Sequence, residues 1–154
     1  MEEVFNRILV VSWMTSESQK AIHHGISLAR KYGAQLSIIH VISNPFGLKG
    51  WNLPVISLKK DYDKLLEDTK ADLDRLIRAE KAKGMEIREL IKEGHPVTEI
   101  LKTIKEEEID LMIMPAHEEW RIEHFLVGRT NDELLRHMPC SILLVKQEPG
   151  RVRF

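Results

Sequence analysis

The sequence predicts an α/β fold, a three-layer α/β/α sandwich around a five-stranded parallel sheet in the order 3-2-1-4-5. Short apolar runs rich in β-branched residues, Ile8-Leu-Val-Val and residues 36–42, have the pattern of strands covered on both faces. They alternate with segments whose apolar residues recur at helical spacing, and such alternation makes a parallel sheet. Right-handed crossovers with a reversal after the third strand favour the stated order, which periodicity alone leaves open.

Ile8-Leu-Val-Val is expected to be the central strand. Ser16-Glu-Ser-Gln19 then reads as a capping box, and Ile22, Gly25, Ile26 and Ala29 recur at helical spacing until Gly33 supplies a left-handed stop. Residues 36–42 form the second strand, and residues 43–57, with Pro45, Gly47, Gly50 and Pro54, read as a long loop. From residue 58 to 83 the positions Tyr62, Leu65, Leu66, Thr69, Leu73, Leu76 and Ile77 keep one helical stripe, ended by Gly84.

Residues 85–91 alternate apolar and polar, as a half-exposed edge strand does, and Gly94-His-Pro96 opens a helix with Val97, Ile100, Leu101 and Ile104 inward. Residues 110–114 are the fourth strand. A polar loop, a helix from about Thr130 to His137 and a last strand over 141–146 follow. Thr130-Asn-Asp-Glu133 reads as the capping box of that last helix. Residues 1–148 are expected to be one domain and 149–154 a tail. The carboxyl ends of strands one and four flank a topological switch point, where open α/β sheets bind their ligands.

At 154 residues, with 43% hydrophobic and 31% charged residues, the chain has the length and composition of one globular domain. Its 23 Lys and Arg against 24 Asp and Glu give no basic surplus for nucleic acid or anionic lipid. A single cysteine, Cys140, excludes an internal disulfide and suits a reducing compartment. The first residues lack the basic and apolar regions of a signal peptide, and no apolar run approaches the roughly 20 residues of a membrane span, so a cytoplasmic location is expected. Abundant charge and only 8 Gly hint at a heat-adapted source.

The successive segments Ile8-Leu-Val-Val, Ser18-Gln-Lys-Ala-Ile, Glu93-Gly-His-Pro96 with Glu99-Ile-Leu101, and Asp110-Leu-Met-Ile-Met114 resemble those of a universal stress protein. The closing segment Leu134-Leu-Arg-His-Met-Pro-Cys-Ser-Ile-Leu-Leu-Val145 looks like the family's last helix, Pro-Cys turn and final strand. The resemblance spans residues 6–146 and implies the adenine nucleotide alpha hydrolase-like fold. Family members that bind ATP carry an acidic residue after strand one and a loop spaced G-x2-G-x9-G followed by Ser or Thr. Such glycines let backbone N–H groups approach phosphate, and the following helix N-terminus adds a favourable dipole.

Aligned on Met114 and Gly128, the first two glycine positions fall on Pro115 and Glu118, and only Gly128 matches; the hydroxyl position is Arg129 and the acidic one Trp13. Pro115 has no N–H to give, Glu118 repels a triphosphate, and an indole accepts no hydrogen bond from ribose. The candidate cleft is Trp13, Val41, Met114, Pro115, Ala116, His117, Arg121, Gly128, Arg129 and Thr130. Arg121 and Arg129 have the chemistry to grip a phosphate or carboxylate, but a solvated role balancing Glu118, Glu119 and Glu123 is favoured. Trp13 either stacks on a flat ligand or plugs the cleft, and the plug is favoured. His117 and His124, with Glu118 and Glu123, match no familiar zinc spacing. Cys140 reads as a structural thiol, and the run Glu106-Glu-Glu108 as the solvated end of a helix.

The resemblance thus implies a non-catalytic stress-response or regulatory module acting through a protein partner or small ligand, with no cofactor expected. The alternative is a switch that still holds ATP or AMP in a modified pose. No Ser-His-Asp, Cys-His or paired-carboxylate set converges on the cleft, so an enzyme is the weakest reading. The family also implies a homodimer paired through Ser141, Ile142, Leu143, Leu144 and Val145, whose apolar edge is otherwise unpaired. If the loss of the signature is local, restoring four residues recovers ATP affinity.

Overall fold

β-branched apolar runs make the strands and amphipathic stripes the helices of a computed structural model that describes residues 4–13, 17–42, 55–116 and 125–146. The elements are β1 (Arg7–Ser12), α1 (Glu17–Tyr32), β2 (Gln35–Ile42), α2 (Val55–Ala82), β3 (Ile87–Glu93), α3 (Pro96–Glu106), β4 (Leu111–Pro115), α4 (Phe125–His137) and β5 (Ser141–Val145). The sheet is parallel and ordered β3-β2-β1-β4-β5, the order expected from sequence.

Alternation along each strand sends side chains into two apolar layers. Ile8, Val10, Ile38 and Ile113 pack with Ile22 and Ile26 of α1 and Leu73 and Ile77 of α2. Leu9, Val11, Ile39, Val41, Met112 and Met114 pack with Val97, Ile100 and Ile104 of α3 and Leu134 of α4. Each fully buried aliphatic side chain contributes roughly 1.5–3 kcal/mol by leaving water. At Gly25 α1 comes close against the sheet: a Cβ there would stand 2.3 Å from Cγ2 of Val10.

The amino end of the sheet is fastened by Asp110, whose carboxylate accepts the N–H groups of Asn6 at 2.8 Å and Arg7 at 3.1 Å. Asp110 returns its own N–H to the carbonyl of Arg7 at 3.0 Å, so it bridges to β1 and the strand begins one residue later than expected. The acidic run ahead of it is also engaged. Glu107 accepts from Arg88 at 2.6 Å and Glu108 from Arg7 at 2.7 Å, which corrects the reading of a merely solvated helix end.

Other boundaries move for identifiable reasons. β3 starts at Ile87 rather than at 85, because the N–H of Met85 donates back to the carbonyl of Glu80 and closes the end of α2. Gly33 takes the expected left-handed stop at φ 65°, and Gly84, expected to end its helix, also has a positive φ, 92°. α2 starts at Val55, so residues 55–57 are helix and not loop; a proline just ahead of a first turn is compatible with that. α4 starts at Phe125, five residues before the expected point, and Thr130 and Asn131 are buried within it instead of capping it. The side chains of Tyr62, Leu65, Leu66 and Thr69, the loop over 43–54 and the cap at Ser16 lie outside the described residues.

Candidate functional site

At the carboxyl ends of β1 and β4 the chain leaves the sheet in opposite directions, which places the switch point between Trp13 and Ala116. Trp13 follows β1 directly. Its backbone N–H donates to Oγ of Ser18 at 3.0 Å, tying the strand exit to the first turn of α1. Trp13 is 9% exposed and belongs to the same apolar layer as Val41, Met114 and Leu134, while its Nε1 has no hydrogen-bond partner among the described residues. An unpaired buried N–H is costly, so apolar packing must carry the ring.

On the other side of the switch point Pro115 is the last residue of β4, in register with Val145 of β5. Its carbonyl accepts from Nδ2 of Asn131 at 2.9 Å, a buried bond from the second turn of α4 to the end of β4. Ala116 donates its N–H to the carbonyl of Val145 at 2.8 Å. The two backbone positions leaving β4 are therefore one without an N–H and one whose N–H is taken. Neither is free to meet a phosphate oxygen.

Of the sequence-predicted cleft residues, Trp13, Val41, Met114, Pro115 and Thr130 are buried near the carboxyl edge and Ala116 is half-buried. His117 and Arg121 lie outside the described residues, as do Glu118, Glu123 and His124; Gly128 and Arg129 are placed only as backbone of α4. Among the described residues no group of three His, Cys, Asp or Glu could hold a metal ion, and no helix is long and apolar enough to cross a membrane. On the proposed pairing edge Ser141 is exposed, Leu144 is 42% exposed, Ile142 and Leu143 are half-buried and Val145 is buried.

Sequence reasoning missed Asn131 and His40. Asn131 sits three residues before Leu134 on the inner stripe of α4, a signal that the capping-box reading overrode. His40 occupies a position that shares a face with Leu36 and Ile38, where a polar residue stands out. Ser12 is its register neighbour on β1 and Glu89 approaches from β3, which brings serine, histidine and carboxylate onto one face. Ser12 and His40 are 0% and 3% exposed, so that trio is closed to a substrate.

Cys140 is half-buried before β5. Burial pushes its thiol above the usual range, against the opposing effect of a backbone hydrogen bond with Met112, while Asp110 pushes it further up. That is the opposite of an activated nucleophile. A wide concavity of about 1150 Å³ lies at the far end of the molecule, by the amino ends of β2 and β3. Its basic residues Arg30, Lys81, Lys83 and Arg88 are paired with Glu80, Glu89 and Glu107, and the carboxyl ends of α1 and α2 face it, which disfavours anions. The switch point is thus the better candidate.

Comparison with known proteins agrees with this fold. The chain is 24% identical over 151 residues to a universal stress protein of Methanocaldococcus jannaschii, covering 95% of this chain and 85% of that one. Among solved structures it is similar to the universal stress protein UspA of Lactobacillus plantarum, with a TM-score of 0.65, 21% identity and coverage of 94% and 99%. It is also similar to a universal stress protein family member of Arabidopsis thaliana with AMP bound, with a TM-score of 0.61, 13% identity and coverage of 95% and 97%. The model of the universal stress protein family matches residues 5–146, and the chain belongs to that family.

Proposed function

We propose that this chain is a non-catalytic stress-response or regulatory module whose switch-point cleft does not hold Mg-ATP in the family's usual way. The observation that carries the reading is at the exit of β4, where Pro115 offers no N–H, its carbonyl is held by Asn131, and the next N–H is bonded to Val145. A phosphate cradle needs several free N–H groups converging on one point. Trp13, at the position of the family's acidic residue, adds an apolar side chain where a ribose would need a hydrogen-bond acceptor. Titration calorimetry with Mg-ATP tests this, and a dissociation constant below about 10 μM, equivalent to roughly 7 kcal/mol, overturns it.

One observation favours the alternative of a nucleotide switch, namely that a solved relative holds AMP. AMP needs only one phosphate cradled, which Arg121 or Arg129 has the chemistry to meet. The same titration with AMP separates the readings: AMP bound with ATP excluded supports the switch, and neither bound supports the partner-driven module.

The module is proposed to act as a cytoplasmic homodimer joined through β5. The two edges of the sheet differ in kind. β3 carries Arg88, Glu89, Lys92 and Glu93, charges that blunt an edge, whereas Ser141–Val145 carries none. Sedimentation at tens of micromolar is expected to show a dimer, and a monomer there counts against it.

A further inference from the structure

His40 is the buried ionisable group that the switch point leaves unused. It is 3% exposed on the face of β2 that α2 covers, and neither ring nitrogen has a hydrogen-bond partner among the described residues. Its Nε2 lies 3.4 Å from Oε2 of Glu89 on β3, close enough for charge attraction but beyond good hydrogen-bond length. Glu89 is shared, because Nζ of Lys81 at the end of α2 reaches its other oxygen at 3.2 Å. Two more charges of α2 act on the ring: Asp74 favours a proton there and Lys70 opposes it, and these two are themselves paired at 2.9 Å. From β1 the register neighbour is Ser12, which is neutral.

Burial is the largest influence and holds the imidazole below its ordinary value of 6.5, while Glu89 pulls the other way and loses. The ring is therefore neutral at pH 7, and protonation places a charge under α2 with half a counter-ion. α2 is the element above it. Among the described residues Leu73 and Ile77 are the buried apolar side chains of α2, with Leu76 partly buried. A helix packed on a sheet can open locally, at a free energy below that of global unfolding.

We propose that His40 is a proton sensor built into the joint between α2 and the β2–β3 side of the sheet: acidification charges the ring, and α2 lifts to let water reach it. This does not rest on the nucleotide reading. The sign follows from linkage. The closed state binds the proton more weakly than the opened one, in which the ring regains its ordinary affinity, so opening grows as pH falls below about 6.5, by up to about tenfold per pH unit. Val41 of the candidate cleft is the next residue, and the chain reaches α2 from the carboxyl end of β2, so opening would act on the ligand end of the sheet.

Amide hydrogen exchange of residues 70–82 in the full chain, corrected for intrinsic rates between pH 5 and 7.5, tests the sensor. Protection of α2 is expected to fall as the pH drops below about 6.5 and to level off where the His40 ring titrates by NMR, so that the fall has its midpoint between the two. His40→Leu should make protection independent of pH. Glu89→Gln should move the midpoint to lower pH, since removing the carboxylate makes the proton still less welcome. Protection that does not change with pH, or changes equally in His40→Leu, overturns the proposal. Should His40→Leu fail to fold, the Glu89→Gln arm decides, and an unmoved midpoint there overturns it as well.

Discussion

Asn131 holds Pro115: its side-chain Nδ2 donates to the Pro115 carbonyl at 2.9 Å, and both residues are buried. The bond joins the second turn of α4 to the last residue of β4, at the carboxyl edge of the sheet. Removing it leaves a buried carbonyl unpaired, which costs about 1–2 kcal/mol. For a domain of this length that is a fall in Tm of roughly 3–6 °C. Asn131→Asp is expected to be worse than Asn131→Ala, because it sets a carboxylate oxygen against the carbonyl in an apolar layer. Thermal unfolding of both variants checks the order, and an unchanged Tm for Asn131→Ala would remove the clamp from the account.

Gly25 offers a test of the interface between α1 and the sheet. Replacing an interior helical glycine by alanine ordinarily gains about 1 kcal/mol. Here the new Cβ would stand 2.3 Å from Val10 and 3.3 Å from Leu36, both fully packed. Overpacking of that kind costs about 1–3 kcal/mol, so Gly25→Ala is expected to destabilise on balance. Val10→Ala in the same chain makes room, and the double variant should lose less than the sum of the single ones. Denaturant unfolding in which the effects simply add would place the contact elsewhere.

What could be read from sequence follows the range of the interactions involved. Strands and their order depend on apolar patterning and on chain reversals, which are local, and Gly33 and Gly84 announce the helix ends in one residue each. The start of α4 differs from the sequence expectation because Thr130-Asn-Asp-Glu133 has the letters of a capping box, while burial turns Asn131 toward a carbonyl 16 residues away. Glu107 and Glu108 looked like surplus acid because Arg88 and Arg7 reach them only after the sheet has formed. At the cleft, Pro115 alone declared the loss of an N–H. That the neighbouring N–H of Ala116 is also spent depends on the pairing of β4 with β5, which no short pattern encodes.

Cys140 is expected to label slowly. Alkylation proceeds through the thiolate, and burial pushes this thiol above its ordinary value of 9.0, so the reactive fraction at neutral pH is smaller than for a free cysteine. The rate should climb about tenfold per pH unit and continue to climb beyond pH 9, where an exposed thiol levels off. A maleimide time course across pH 7–10 reads this directly. Labelling at pH 7 as fast as a model thiol would mean that the Pro-Cys turn activates the sulfur instead of burying it.

Restoring the family's nucleotide signature through Trp13→Asp, Pro115→Gly, Glu118→Gly and Arg129→Ser tests whether its loss is local, and the burial of Trp13 sets a condition on that test. Trp13 is 9% exposed in the layer that contains Leu134 and Met114, so it is core as well as plug. Trp13→Asp removes the ring and leaves a carboxylate in an apolar site, at a cost of about 3–5 kcal/mol, a large share of the 5–15 kcal/mol that holds a typical domain together. Trp13→Phe keeps an aromatic ring and deletes an N–H that has no partner among the described residues, so it should cost less than about 1.5 kcal/mol. The two variants compared by denaturant unfolding separate the roles. If Trp13→Asp is no less stable than Trp13→Phe, the indole is only a plug, the signature was lost locally, and the fourfold variant should bind ATP. If Trp13→Asp unfolds while Trp13→Phe stands, the core has closed around the tryptophan, and nucleotide binding returns only when a second substitution in the same layer compensates for the missing ring.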